Sequence, residues 1–424
     1  MFQIDLKSRK AVYDQIVDNF KRLVDTGVLS RGEHIPNVKD MSMSLTVNPN
    51  TVMKAYLELE NQGYFYTEEG QDWSVTESKE VITEEDDDKH GEVTALYGRL
   101  HANMQELIAR GESREAIGNL IGMGEQAYLQ VEDLSKRFDE VMALDGLNLN
   151  IKKGSIYGLV GVNGSGKTTT LRMLAGVHQP DGGTAKIDGT SAYGGTHGKI
   201  MGYIPEDSCF LPGYTMNMLR KFFSNKYKQT WNDTRYLELM DLLQLSETQV
   251  VSTFSRGMQK QAGFILAISA TPDVLLLDET IDGLDPIVRK QALRYIIEDV
   301  GGRDMTVLIT SHNMRELDGI CDTVGIIKSG RLLIERDLDD LRANVHKIQV
   351  AFTPDFLATN FPYDALDVLH MEELGSTDQL VVRGKEEEIS AHIQGFNPLV
   401  YDHLPMTLEE IFVYETEGNT DEIS

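Results

Sequence analysis

A glycine-rich segment, Gly161 to Thr168 with the sequence GVNGSGKT, has the residue types and spacing of a phosphate-binding loop. The apolar run from Ile156 to Val160 predicts a buried strand before it, and the residues from Lys167 onward predict a helix. Glycines let successive backbone N–H groups and the helix N-terminus approach an anion closely. The predicted phosphate contacts are Gly161, Val162, Asn163, Gly164, Ser165, Gly166, Lys167, Thr168 and Thr169. The Lys167 ammonium can bridge β- and γ-phosphates, and the Thr168 hydroxyl can bind Mg²⁺.

Two carboxylates follow a second apolar run, residues 274–277, which predicts another buried strand. Asp278 at its end is the predicted metal ligand, and Glu279 is the predicted base for an attacking water. A buried strand that ends in acidic residues is common in α/β proteins. The interpretation therefore depends on the segments that surround this pair.

Those segments occur in the order expected of an ATP-binding-cassette (ABC) ATPase. Residues 254–258, FSRGM, resemble the ABC signature, residues 282–285 resemble the D-loop, and residues 310–312 resemble the switch-histidine segment. The resemblance covers residues 128 to about 340. It implies ATP and Mg²⁺ as ligands, contacts from Ser255 and Gly257 to the nucleotide of the opposite subunit, a further contact from Asp285, and a catalytic His312 near the γ-phosphate.

Two more positions resemble ABC elements but leave alternatives. Residues 202–206, GYIPE, resemble the Q-loop with Glu206 where the broader superfamily has Gln, and the resemblance to exporter ATPases implies that Glu206 meets Mg²⁺. Phe138 is the candidate for stacking on adenine. An ordinary core phenylalanine is the alternative there.

Composition favours a cytoplasmic protein that is peripheral to the membrane when it binds a permease. The chain has 424 residues and a net charge of −27, and such a length predicts about three domains. Its two cysteines, Cys209 and Cys321, provide neither a disulfide framework nor zinc spacing. We find no run of about 18 apolar residues that could span a bilayer, so a transport path would have to lie on another chain.

The first 76 residues carry helix and strand signals of a different kind. Residues at helical spacing predict a first helix: Val12, Ile16, Phe20, Leu23 and Val24. Residues 35–41 predict a second short helix, Asn48 and Pro49 predict the start of a third, and residues 64–66 and 73–75 predict a strand pair. The segment 7–76 resembles the winged helix-turn-helix of GntR-type transcription regulators.

That resemblance implies DNA contacts at the start of the third helix. The candidate residues are Lys39, Asn48, Asn50, Thr51 and Lys54. Residues 1–76 contain eight Lys or Arg against eleven Asp or Glu, a net charge near −3, and DNA affinity depends on phosphate neutralisation. A winged helix that serves as a dimerisation or docking module without binding DNA is therefore an open alternative.

The remaining segments connect and extend these two units. Residues 84–88, EEDDD, predict a solvated linker rather than a metal site. Helical stripes within residues 93–121 resemble the dimerisation hairpin of the YtrA subfamily of GntR regulators, and packing against the chain's own ATPase is equally consistent with them. Strands near 347–352 and 379–383 and a tail at 406–412 predict a small α+β extension with packing or dimer contacts.

The sequence thus predicts a multidomain chain. We expect a winged helix, mainly α with a small β wing, at 7–76; an acidic linker and helical hairpin at 77–127; an α/β P-loop NTPase of ABC type at 128–340; and an α+β extension at 341–424. The expected partners are a second copy of the chain, bound through the ATPase and hairpin surfaces, separate transmembrane permease subunits and a double-stranded DNA operator. Two alternatives remain: a soluble ATP-gated repressor without a permease, and a transporter ATPase whose winged helix no longer binds DNA.

Overall fold

The computed structural model describes residues 2–5, 8, 10–68, 72–76, 127–193, 198–207, 210–280, 284–353 and 362–417. The predicted acidic linker and almost all of the predicted helical hairpin lie outside the described residues. The same is true of the tip of the predicted wing and of Cys209 and Asp282.

Three helices and a two-stranded sheet form the N-terminal region. The elements are α1 (Val12–Asp25), α2 (Val38–Leu45), α3 (Pro49–Asn61), β1 (Phe65–Glu68) and β2 (Asp72–Val75), with the two strands antiparallel. The predicted start of α3 is confirmed, because the Asn48 side chain accepts a hydrogen bond from the backbone N–H of Asn50. Aromatic rings pack edge to face in a separate core, with centroids 5.1 Å apart for Phe20 and Phe65 and 5.4 Å apart for Tyr56 and Trp73.

Two sheets form the middle of the chain. The antiparallel sheet contains β3 (Leu129–Phe138), β4 (Val141–Ile151), β6 (Gly182–Ile187) and β7 (Thr190–Ser191) in the order β4-β3-β6-β7. The other sheet contains β5 (Ile156–Val160), β8 (Met201–Ile204), β9 (Val274–Asp278), β10 (Thr306–Ser311), β11 (Thr323–Lys328) and β12 (Arg331–Asp337) in the order β12-β11-β5-β10-β9-β8. Its strands are parallel except at the β11–β12 edge pair.

The parallel strands explain where the site lies. Every residue of β5 and β9 is buried, as the two apolar runs predict for strands covered on both faces. Helices surround this sheet: α4 (Lys167–Leu174), α5 (Met216–Lys226), α6 (Asp233–Leu242), α7 (Arg256–Ser269) and α8 (Pro286–Arg303). The glycine-rich loop and the two carboxylates both follow carboxyl ends of parallel strands, which meet at one edge of the sheet.

A smaller sheet ends the chain. After α9 (Leu338–Asn344) come β13 (Val345–Ala351), β14 (Asp367–Leu374), β15 (Thr377–Arg383), α10 (Glu386–Gln394), β16 (Val400–Leu404) and α11 (Leu408–Glu417), with strand order β14-β15-β13-β16. The tail that the sequence assigns to packing or dimer contacts packs on its own chain: Leu408, Ile411 and Phe412 join the main core. The buried Cys321 lies in the same core. No helix among the described residues is long and apolar enough to cross a membrane.

Candidate active site

The glycine-rich loop after β5 has a backbone that side chains would obstruct. Gly164 and Gly166 have φ of +81° and +114°, in the region that favours glycine. A Cβ at Gly161 would lie 2.4 Å from the carbonyl oxygen of Ile327. Within the described part of the chain, the buried Ser165 hydroxyl has no hydrogen-bond partner. Such a hydroxyl can donate to a bound anion. The loop therefore fits a phosphate cradle.

Lys167, the first residue of α4, holds its ammonium against this loop. Its side chain is only 4% exposed. The Nζ atom donates to the carbonyl oxygens of Gly161 at 2.7 Å and Val162 at 3.3 Å, and it lies 3.1 Å from Oε1 of Glu279. A buried cation in this position needs an anionic partner. Glu279 supplies that partner here.

Asp278, the last residue of β9, forms the second half of the site. Its Oδ1 atom accepts hydrogen bonds from the hydroxyls of Thr168 at 3.1 Å and Thr310 at 2.9 Å. Burial raises the pKa of the Asp278 carboxyl above its usual value, although both hydroxyls oppose the shift. A buried carboxylate beside a hydroxyl of the phosphate loop is the oxygen-rich ligand set that suits Mg²⁺.

Glu279 follows β9 with its backbone in the left-handed region, at φ +47°. A non-glycine residue there is strained and persists only when its surroundings hold it. Its N–H donates to the Thr310 hydroxyl at 3.1 Å, its carbonyl accepts from Nζ of Lys260 at 2.9 Å, and its Oε2 lies 3.3 Å from Nδ1 of His312. β10 and α7 thus hold the Glu279 backbone, and the loop after β10 contacts its carboxylate.

Two of these contacts are absent from the sequence interpretation. Thr310 belongs to the predicted switch-histidine segment, but the sequence alone predicts no role for its hydroxyl. Lys260 lies one turn along α7 from Ser255, and a lysine on a helix surface carries no signal of its own. Only the approach of α7 to β9 reveals that Lys260 holds the Glu279 carbonyl.

The predicted adenine contact lies outside the core. Phe138 ends β3 and is 40% exposed, which does not fit the alternative of a core phenylalanine. Its ring centroid lies 5.4 Å from that of His178 in an edge-to-face arrangement, and Nζ of Lys136 lies 5.5 Å from the centroid. An exposed ring supported from the side can stack on a planar base.

Other predicted ATP contacts lie at the surface of this single chain. Ser255 and Asp285 are exposed N-caps of α7 and α8, and they accept from the N–H groups of Met258 at 3.3 Å and Ile287 at 3.0 Å. Gly257, Glu206, Val162 and Asn163 are exposed or half-buried. The structure therefore brings together Lys167, Thr168, Asp278, Glu279 and His312, and leaves Ser255 and Asp285 open to solvent.

The five predicted DNA-contacting residues also come together, and they face the ATPase. Nζ of Lys39 lies 3.3 Å from Oε1 of Glu298. Asn48 is fully buried, and its N–H and Nδ2 donate to the carbonyl oxygens of Gly319 at 3.1 Å and Ile320 at 2.8 Å. The start of α3 therefore packs directly on the loop before β11.

The next turn of α3 binds carboxylates. Nδ2 of Asn50 donates to Oδ1 of Asp322 at 3.0 Å. The Thr51 hydroxyl donates to Asp339 at 3.1 Å, and Nζ of Lys54 lies 3.1 Å from Asp337 and 3.5 Å from Asp339. Each polar group expected to read DNA thus has an acceptor on the ATPase.

Known proteins with similar sequences identify the family. A family model described as "ABC transporter" matches residues 144–282. The chain is 31% identical over 293 residues to the ABC transporter ATP-binding protein YtrB of Bacillus subtilis, a match that covers 68% of this chain and 98% of that protein. The chain belongs to the ABC transporter ATP-binding proteins. The matched range of this ABC protein includes the glycine-rich loop, Asp278 and Glu279, so the site described above is its ATP-binding site.

Other ABC relatives match the same type of unit. The bacitracin transport ATP-binding protein BcrA of Bacillus licheniformis is 34% identical over 226 residues, which cover 52% of this chain and 72% of that protein. The Nod factor export ATP-binding protein I of Burkholderia orbicola is 31% identical over 300 residues, which cover 68% of this chain and 96% of that protein. Each match leaves about a third or more of this ABC protein without a counterpart in the relative.

Proposed function

We propose that this ABC protein hydrolyses ATP as the motor subunit of a membrane exporter. The observation that carries the proposal is the fixed position of Glu279. Its strained backbone is held by Thr310 and Lys260, and its carboxylate lies between the Lys167 ammonium and the His312 imidazole. A positioned carboxylate beside a phosphate cradle is the arrangement that activates a water for attack on a phosphoryl group.

Each residue of the site has a proposed role. The loop amides and Lys167 bind the phosphates of ATP, Thr169 adds a contact, and Phe138 stacks on adenine. Mg²⁺, held by Thr168, Asp278 and Glu206, would supply charge neutralisation at the phosphates. A bound γ-phosphate would replace Glu279 as the anionic partner of Lys167. Glu279 is then free to orient the attacking water and accept its proton, while His312 contacts the γ-phosphate.

The exposure of Ser255 supports the proposal that two copies complete each site. Ser255 caps the N-terminus of α7, where the helix dipole and free N–H groups favour an anion. The exposed Ser255 hydroxyl is distant in sequence from this chain's own phosphate loop. It is therefore available to contact a nucleotide that a second copy holds. We propose a homodimer in which each ATP is held by Lys167 of one subunit and Ser255 of the partner subunit.

Complementation between two inactive variants tests both hydrolysis and this geometry. Lys167→Ala and Ser255→Arg should each abolish activity as pure homodimers, since every site then lacks one half. In a mixed dimer both changes fall on one site and leave the other intact, so mixing equal amounts should restore about a quarter of the wild-type rate. No restoration, with both variants folded and able to dimerise, would refute sites shared between two copies.

An apolar groove beside the Q-loop segment supports the exporter role. A cavity of about 300 Å³ is lined by Tyr203, Phe210, Phe223 and Leu266 among others, and Leu211 and Phe222 are 66% and 57% exposed. Apolar side chains in a groove suit an inserted helix of a permease subunit. Leu211→Asp with Phe222→Asp should leave the ATPase rate of the isolated protein unchanged and remove it from the membrane fraction of cells that express its permease. Unchanged membrane association would refute this groove as the docking site, whereas a wild-type protein absent from the membrane fraction would favour the alternative of a protein that acts without a permease.

A second candidate function is DNA binding by the N-terminal region. The order of three helices and a two-stranded sheet, with polar donors at the start of α3, supports a GntR-like winged helix at 7–76. We retain 77–127, 128–340 and 341–424 as the proposed bounds of the linker and hairpin, the ATPase and the extension. In this proposal, closure of the ATPase pair on ATP alters the spacing of two α3 helices. Equal DNA affinity of the ATP-bound, ADP-bound and nucleotide-free protein would refute that coupling.

A further inference from the structure

We propose that Asp322, Asp337 and Asp339 form a docking surface on the ATPase that holds the DNA-reading end of α3, and that double-stranded DNA competes with this surface. The inference rests on the proposed DNA binding of the N-terminal region. It adds that a surface of the same chain competes with DNA for the start of α3. We call these three carboxylates and the loop at 319–320 the docking surface.

The chemistry of the docking surface resembles that of a DNA backbone. Phosphate oxygens accept hydrogen bonds from Lys, Asn and Thr side chains in protein–DNA complexes. Asp322, Asp337 and Asp339 present the same kind of acceptor to Asn50, Thr51 and Lys54. Oδ2 of Asp322 also accepts from the N–H of Ile156 at 2.7 Å, at the start of the strand that leads into the phosphate loop.

Close packing supports a built interface rather than a chance approach. Gly301 and Gly302 lie in the last turn of α8, although glycine is a poor helix former compared with alanine. A Cβ at Gly301 would lie 3.1 Å from Cγ of Pro49, and one at Gly302 would lie 3.3 Å from Nζ of Lys39. The two glycines thus permit the N-terminal region to approach α8.

Docking and DNA reading exclude each other sterically. Asn48 is 0% exposed and Thr51 is 6% exposed in the docked arrangement. Base edges and phosphates are inaccessible to side chains that are covered in this way. The apparent dissociation constant for DNA therefore equals the intrinsic constant divided by the undocked fraction.

Release of the docking surface should tighten DNA binding without a change in α3. Asp337→Asn with Asp339→Asn removes the two carboxylates that form ion pairs with Lys54, and asparagine preserves the cap that Asp337 provides for α9. Gly301→Leu is a second release variant, which acts by contact with Pro49 and leaves the charge unchanged. The control for net charge is Asp188→Asn with Asp241→Asn, two exposed carboxylates of other elements.

Fluorescence anisotropy of the full chain at low, fixed salt would measure affinity for duplex DNA from the region upstream of the gene. We expect both release variants to bind about tenfold more tightly than the wild type and the charge control, as when one molecule in ten is undocked. Lys54→Ala in the Asp337→Asn, Asp339→Asn background should reverse the gain, since Lys54 has lost both ion pairs there and can contact DNA phosphates.

Hydrogen exchange of the peptide that covers residues 46–56 measures docking of α3 independently of DNA affinity. It therefore distinguishes failure of the docking from failure of the competition with DNA. Faster exchange in the release variants, with equal DNA affinity in all proteins, would leave DNA binding in place and overturn the competition. DNA binding by none of the proteins would overturn both the competition and the DNA-binding role. Unchanged exchange in both release variants would overturn the docking itself.

Discussion

Lowering the pH from 7 to 5 should raise the free energy of unfolding of the wild-type protein more than that of its Asp322→Asn variant. Burial between the ATPase and α3 raises the pKa of the Asp322 carboxyl from 3.8 to about 6, although hydrogen bonds from Ile156, Asn50 and Asn48 oppose the shift. The folded protein then binds a proton at pH 5 that the unfolded chain does not bind. Stability contributed by this group is therefore present at low pH and lost as the pH rises through about 6.

The size of the effect follows from the two pKa values. Between pH 7 and pH 5, a carboxyl with a pKa of about 6 when folded and 3.8 when unfolded adds about 1.4 kcal/mol to the free energy of unfolding. This figure is an upper limit because the side chain retains partial exposure. Asp322→Asn cannot titrate, so the difference between the two proteins isolates this titration from that of the other carboxyls.

Urea denaturation at pH 5 and pH 7 would measure the difference. Trp73 and Trp231 are the two tryptophans of the chain, and a Trp73→Phe background leaves Trp231 to report on the ATPase. We expect the wild type to gain up to about 1.4 kcal/mol more than the variant on acidification. A gap that stays constant within a few tenths of a kcal/mol would refute the burial of Asp322 beneath α3.

Three further substitutions test single contacts. Lys260→Met should lower kcat about tenfold with little change in KM, because the Glu279 carbonyl loses a charged donor, and Lys260→Arg should retain most activity in the same steady-state assay. Gly166→Ala should abolish binding of a fluorescent ATP analogue, since its backbone at φ +114° rejects a Cβ. Arg342→Met should lower the free energy of unfolding by about 3 kcal/mol in urea, because the buried Asp318 loses its partner.

Local signals in the sequence were enough to find the ATP-binding part of the molecule. The glycine-rich loop and the carboxylate pair follow buried strands, and each function requires residue types that sit close together along the chain. The start of α3 is equally predictable from sequence, because Asn48 and Pro49 act within one helical turn. These features depend on residues that are neighbours in sequence, so they can be recognised without knowledge of the tertiary structure.

Contacts between segments that are far apart in sequence cannot be predicted from local patterns. The hydrogen bond from Lys260 to Glu279 depends on how α7 packs against β9. The docking of α3 on Asp322 and Asp339 joins residues more than 270 positions apart. In the C-terminal sheet, the sequence does not predict β14 and β16, because Asp, Glu and His interrupt their apolar pattern.

The ATPase rate of Glu279→Gln decides whether Glu279 activates the attacking water. Loss of a general base costs about 10² to 10⁴ in rate, so we expect kcat to fall at least about a hundredfold while ATP still binds. Glu206→Gln makes the same chemical change at a proposed metal ligand, where glutamine can still bind the ion, and should keep most of the rate. Activity of Glu279→Gln within about twofold of the wild type would show that Glu279 is not the general base.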